Sequence, residues 1–475
     1  MYLSTDQQAV VDGTAAVTTV TETSYGPLSL DLGKTYYWRV DEVNEAETPN
    51  MWQGNVWDFA TKEYFVMEDF ESYNDLDPGA DNSNRIFNVW IDGYGVATNG
   101  SIVGHDNPPF TEQTIVHGDK QAMPFFFSNT GGAAYSEAER TFAAAQDWTT
   151  GGAKTLSLWF SGAASNTAAQ MYVKVNGSKV TYDGDAGNLT AAAWQPWNIE
   201  LTSFGAGLQN VTKLAIGIDG IDATGTLLFD DIRLYPYDRQ LVTPAEPNSA
   251  GLVGHWKLDE GAGTIAFDSS GLGNDGTLGG DPQWTAGKIG GALDFDGDDY
   301  VDCGNPSRLD FGTGSWSVSA WIKMPATTDN RNIFAKGGDN TGGIRYMLNV
   351  SETDDHKACL TVDRDSPSPD KVQATSIVTV DDDQWHHIVG IRDGSSLRLY
   401  VDGALDGTNT LPAGYDLSGT SQGNAYIGAG WRYDTSVVHK FLIGVIDDVR
   451  IYDRVLTEEE IAWLAGRTKP FDKPF

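Results

Sequence analysis

Residues 446–461, IDDVRIYDRVLTEEEI, set the reading of the whole chain. Ile446, Val449, Ile451 and Tyr452 are β-branched and aromatic strand formers. Thr457 is placed as a helix N-cap, and Glu460, three residues on, completes a capping box. The pattern predicts a strand, a turn and a short helix. Residues 228–239, LFDDIRLYPYDR, repeat the same order: apolar, Asp, Asp, apolar, Arg, apolar, Tyr. Each stretch is predicted to be the closing strand of a β-sandwich, and the chain divides into units that end at these two strands.

Residues 1–62 read as strands and turns: YLSTD, AAVTTVTETSYG, KTYYWRVDEVN and GNVWDFAT. In residues 30–44, Leu30, Leu32-Gly33, Tyr36, Val40 and Val43-Asn44 resemble the strand E–F region of fibronectin type III domains, with Tyr36 as the corner tyrosine and Trp57 and Phe59 on the last strand. Such a sandwich needs roughly 100 residues, so the resemblance implies a partial domain whose first strands lie upstream. Residues 63–237 hold alternating stretches bounded by Gly, Asn and Asp, among them KTLSLWFSG, AQMYVKVNGSKV, WQPWNIELTSF and KLAIGIDG. They predict a jelly roll or related antiparallel sandwich. An early Phe-Glu, a Trp-x-Phe strand, a W-x-x-W-x-I-x-L strand and a closing Phe-Asp-Asp strand resemble carbohydrate-binding modules of the galactose-binding-like type. Residues 238–250, DRQLVTPAEPNSA, read as a linker.

Residues 251–465 carry WKLDEG, DSSGLGNDG, SWSVSAWIKM, WHHI, YVDG and IDDVRIY in that order. The series resembles the LamG-like family of concanavalin A-type jelly rolls. Residues 466–475 form a tail. The expected fold class is therefore all-β and multidomain, made of antiparallel β-sandwiches: a partial fibronectin-like unit followed by two jelly rolls.

The length of 475 residues suits two to four domains. A formal net charge of −35 disfavours nucleic acid and anionic membranes as partners. It suits calcium and neutral or cationic ligands, although a solvated acidic surface accounts for most of the charge. No apolar run reaches the roughly 18 residues of a membrane span. The polar start lacks a basic n-region. Together with the missing strands, it is read as an internal start within a longer secreted or cell-surface protein. Cys303 and Cys359 leave one disulfide or two buried thiols equally open.

No catalytic set emerges. Gly419–Gly423 matches G-x-S-x-G without the strand-to-helix elbow that motif needs. His386 and His387 fall on opposite faces of one predicted strand. The metal candidates are stronger. In unit 63–237, Glu71 opens and Asp230 closes the sandwich. Strict alternation sends Asp230 inward with Ile232 and Leu234. An inward carboxylate needs a cation or hydrogen bonds; calcium, as in the resembling modules, and a network of N–H donors both stand. In unit 251–465, the loop from Asp268 through Asn274 offers oxygens for calcium. The LamG-like resemblance implies that it docks on the closing strand near Asp447 or Asp448. Asp294, Asp296 and Asp298 imitate part of an EF-hand but read as a turn. Trp159, Trp197, Trp316 and Trp321 are expected in the core. Trp90, Tyr94, Trp431 and Tyr433, in Gly-rich stretches, are the candidate sugar platforms. The function expected is non-catalytic carbohydrate binding or adhesion, directed at a polysaccharide or glycoconjugate and assisted by structural calcium. A structural spacer and the ancillary part of a glycan-degrading enzyme are the rivals.

Overall fold

The computed structural model describes the chain except residues 168, 340–343, 351–355, 365–369, 419–422 and 433–434. It divides into two compact units. Unit one comprises Met1–Leu241 and Pro470–Phe475, and unit two comprises Val242–Lys469.

Unit one begins with a three-stranded antiparallel sheet of Tyr2–Ser4, Thr35–Arg39 and Trp57–Ala60. Its predicted all-strand pattern fails at Gln7–Val11, which is helical. The Asp6 side chain caps it by accepting the N–H groups of Gln8 and Ala9, and local capping outweighs the β-branched residues. The Tyr36 hydroxyl accepts the Asp31 N–H at 3.0 Å.

Two further sheets enclose the main core of this unit. One has five strands among the described residues. The other has six among the described residues, ordered Trp194–Glu200, Thr155–Ser161, Thr224–Tyr235, Met123–Ser128 and Ser101–Val103, with Phe65–Glu68 also paired to Thr224–Tyr235. Phe125, Leu158, Trp197, Ile216, Phe229 and Ile232 meet between them. Each such side chain contributes about 1.5–3 kcal/mol on burial.

In unit two, sheets of eight and ten strands among the described residues face each other across a core that includes Trp256, Trp316, Phe334, Leu348, Ile388 and Val449. The helix Glu458–Leu464 lies on the outer face of the eight-stranded sheet. Its Ile461 and Leu464 join Leu456 against Val389, Ile391, Tyr400 and Tyr452. Its capping box is complete, with Thr457 and Glu460 bonded reciprocally at 3.0 and 3.3 Å. Cys303 and Cys359 are both buried free thiols.

The closing strands are Thr224–Tyr235 and Ile443–Tyr452. Each holds a β-bulge at its second Asp. Asp231 has φ +49° and Asp448 has φ +48°, a left-handed conformation that Asp tolerates better than most residues. The extra residue reverses the alternation. Asp230 therefore pairs with Trp159, and Arg233 with Ser157, while Ile232 stays in the core. Asp447 likewise pairs with Trp321, and Arg450 with Ser319. The expected inward Asp230 instead shares the outer face of its sheet with Trp159, beneath a loop.

Candidate functional site

The two Asp-Asp bulges organise the polar interior of each unit. In unit one, Asp230 is fully buried. Its Oδ2 accepts the N–H groups of His117 and Gly118 at 3.0 and 3.1 Å, and its Oδ1 accepts the Asp231 N–H at 2.8 Å. Burial outweighs these bonds and pushes its carboxyl up to about 6. Glu71 holds the other end of the same loop. Its Oε1 accepts the N–H groups of Lys120 and Gln121 at 2.8 and 2.7 Å. Glu71 and Asp230, paired from the sequence, thus clamp residues 117–121 between them. Asp231 accepts from His117 Nδ1 at 2.7 Å and from Arg233.

In unit two, Asp447 Oδ2 accepts the Ile289 N–H at 2.8 Å. Among the described residues its Oδ1 is buried with no partner. Burial first, with Asp448 and Asp259 nearby, raises its carboxyl to about 7. Asp448 bonds His255 Nε2 at 2.7 Å and Arg450 Nε at 3.0 Å.

Asp268 and Asn274 come together as expected from the spacing, but Asp447 serves a different loop. Asp268 accepts the His255, Ser270 and Asn274 N–H groups at 3.0, 2.9 and 2.9 Å and the Ser270 hydroxyl at 2.8 Å. Four donors occupy both of its oxygens, and these bonds hold its carboxyl below the usual range despite burial. Through His255 the loop reaches Asp448 rather than Asp447.

Asp281, Asp296 and Asp298 are exposed, with carboxylate oxygens within 4.8 Å of one another. Asp299, which accepts the N–H groups of Asp281 and Asp296 at 2.7 and 2.9 Å, holds the turn.

The aromatic candidates separate. Trp90 is fully buried and donates its indole N–H to Glu68 at 3.1 Å, so it serves the core rather than a ligand. Glu68, missed by the sequence reading, also accepts from the Tyr73 hydroxyl at 2.7 Å and from Arg140. Tyr94 is 84% exposed. Tyr433 and most of the G-x-S-x-G stretch lie outside the described residues. Trp431, on the strand Gly430–Arg432, is half-buried. Its ring stacks on Tyr426 with centroids 6.3 Å apart and an interplanar angle of 9°. Tyr300 lies 5.8 Å from Tyr426 and 6.2 Å from Phe441. Beside them the Asn424 amide donates to both oxygens of Asp302, at 2.8 and 3.0 Å. Tyr426 is itself buried, so half-buried Trp431 and Tyr300 are the rings that can present apolar surface, beside a carboxylate and an amide that offer hydrogen-bonding edges.

Residues 295–462 match a family model described as the concanavalin A-like lectin/glucanases superfamily. Similar solved structures include domain 4 of an extracellular arabinanase from Geobacillus stearothermophilus in complex with arabinotriose. It is 22% identical over 46% of this chain and all of that one, with a TM-score of 0.37. The binding domain of Paraclostridial Mosquitocidal Protein 1 is 14% identical over 45% of this chain and 52% of that one, with a TM-score of 0.36. The binding domain of Botulinum Neurotoxin DC in complex with SialylT is 13% identical over 46% and 52%, with a TM-score of 0.34. The chain thus spans about half the length of these toxin domains. No curated protein matches.

Proposed function

We propose that the chain is a non-catalytic carbohydrate-binding part of a secreted or cell-surface protein, with its glycan site on unit two. The observation that carries the reading is Trp431 stacked over Tyr426 beside the Asp302–Asn424 pair, within the stretch that matches the lectin/glucanase family. Aromatic faces hold the apolar side of sugar rings while polar groups beside them take the hydroxyls. The buried carboxylates are committed to backbone amides, histidines and arginines, which suits structural rather than acid–base roles.

Structural calcium belongs to the same reading. Calcium takes six to eight oxygens, carboxylates and carbonyls among them. Asp447 fits best, because its Oδ1 is buried and without a donor, and Asp259 adds a second carboxylate nearby. Glu71 and Asp230 already accept two or more N–H groups, and Asp268 four donors in all, so hydrogen bonds compensate them and their demand for a cation is weaker.

The test is a glycan array with the full chain, followed by calorimetry on the sugars bound. Trp431→Ala is expected to weaken binding at least tenfold, about 1.4 kcal/mol, with the melting temperature unchanged. Undiminished binding by Trp431→Ala and by Asp302→Ala would remove this site.

A further inference from the structure

The outer face of unit one's six-stranded sheet carries a row of polar side chains outside the Asp-Asp bulge. Asn198 pairs with Ser157, and Ser157 with Arg233. Asn198 is fully buried, yet among the described residues its Oδ1 has no partner; Arg233 Nε is buried and has none among them either. One is an acceptor and the other a donor, and such orphans are rare in folded proteins.

The C-terminal residues cross this face. The Asn198 N–H donates to Asp472 Oδ2 at 3.1 Å, and its amide donates to the Lys473 carbonyl at 2.8 Å. The Lys473 N–H donates to the Gln240 carbonyl at 2.9 Å, and Arg239 bonds Asp472 at 2.5 and 2.9 Å. The Phe475 ring then rests 4.7 Å from Tyr235 and 5.8 Å from Tyr237. The segment thus runs from Asn198 over the neighbouring strand to Tyr235. A six-membered ring on an aromatic floor, preceded by a polar stretch bonded to a sheet-borne amide, is the set of contacts an oligosaccharide makes with a protein. Beyond the segment lie half-buried Trp159 and Trp194, where His117 of the loop over Asp230 stacks on Trp159 at 3.7 Å.

We propose that this face, centred on Asn198, Ser157, Arg233 and Tyr235 and bounded by Trp159, is a second carbohydrate-binding face, and that residues 470–475 occupy it as an internal stand-in for a neutral oligosaccharide. Charge selects a neutral ligand. Arg233 is matched by Asp231, Arg239 is matched by Asp183 and Asp472, and the chain as a whole carries −35. Phe475 is 38% exposed, so the segment is held chiefly by its hydrogen bonds and a ligand offering the same bonds competes with it. The assignment rests on the glycan-binding reading above but uses other residues on the other unit.

The experiment removes residues 470–475 from the full chain and titrates it with neutral β-glucan, xylan and arabinan oligosaccharides by calorimetry. The deletion is expected to raise affinity at least tenfold for one of them. Asn198→Ala in the same background is expected to abolish the gain, and Trp431→Ala to leave it intact. No gain, or a gain lost with Trp431→Ala and kept with Asn198→Ala, overturns the proposal. Should the deletion fail to melt cooperatively, full-length Phe475→Ala and Asp472→Asn take its place, with a threefold gain expected. Wild-type affinity in both, at wild-type melting temperature, likewise overturns it. Trp431→Ala in the otherwise unchanged chain reports on unit two's site separately.

Discussion

The two closing strands place the same side chains at the same positions and protect them differently. Both set Asp opposite a Trp, follow it with a bulged Asp in the left-handed region, and bring an Arg back to that second carboxylate. In unit one a single loop supplies everything else: His117 and Gly118 give Asp230 its amides, and the His117 ring meets Asp231. In unit two the work is shared. The Ile289 loop bonds Asp447, and His255, on the opening strand Leu252–Trp256, bonds Asp448. The roofs differ too. Helix Glu458–Leu464 covers the outer sheet face of unit two, whereas unit one leaves His117 and Arg233 with side chains 23% and 20% exposed. A shared strand motif thus fixes a geometry, and the segments laid over it decide how dry that geometry becomes.

Dryness sets the largest expected effect. Asp448→Asn keeps a residue that tolerates positive φ and removes only the charge. It strands His255 and Arg450, whose side chains are 8% and 16% exposed. Breaking a buried pair in this way costs about 3 kcal/mol or more. Asp231 is equally buried, but its partners His117 and Arg233 are 23% and 20% exposed, so Asp231→Asn is expected to cost less than Asp448→Asn. Denaturant melts that resolve the two units measure both. Equal losses would show that the roofs do not matter.

Calcium sharpens the comparison next. Asp230 has donors on both oxygens, while Asp447 Oδ1 has none. A cation bound only to the folded state adds about 2.7 kcal/mol at a hundredfold excess over its Kd, a shift of a few degrees in a domain of this size. Chelator is expected to lower the transition of unit two more than that of unit one, and Asp447→Asn to abolish the difference. Chelator moving neither transition, with metal analysis finding no calcium in the purified protein, would assign both carboxylates to hydrogen bonds alone.

Much of this was legible in the sequence because period-two alternation and turn residues report the sheet directly. The capping box at Thr457 and Glu460 and the likeness of residues 228–239 to 446–461 needed no coordinates. The face of Asp230 did not follow, because one bulge residue inverts the alternation and its backbone angle leaves no mark in composition. Trp90 was misplaced for a related reason. Its neighbours are Gly-rich, but Glu68, 22 residues earlier in sequence, draws its indole inward. Nor did spacing indicate that Trp159, expected in the core, stands on the outer face with Trp194 and His117. Trp431 was found from its glycine neighbours, whereas Tyr426 and Tyr300, which complete its row, lie on strands distant in sequence.

The smallest effect follows from what stands across each Trp. Opposite Trp159 is Pro196, which does not titrate; opposite Trp321 is His387. His387 is fully buried, and neither ring nitrogen has a partner among the described residues. Burial lowers its pKa to about 4, against the pull of Asp448 and Asp402 and with a small push from Arg450. The sign follows from linkage. The unfolded chain takes up the proton near the ordinary value of about 6.5, while the folded chain resists it down to about 4. The stability associated with neutral His387 is therefore complete above about 6.5 and is lost as the pH falls toward about 4. At about pH 5.5 the loss is about 1 kcal/mol. Asp447, raised to about 7, and His386, also raised, contribute the opposite slope in the same range, so the His387 part is read as the difference between wild-type and His387→Gln melts of unit two between about pH 7 and 5. Unit one, with Pro196 at the same place, is expected to lack this contribution. A slope in unit two that persists unchanged in His387→Gln would assign it to the carboxylates around Asp448 instead.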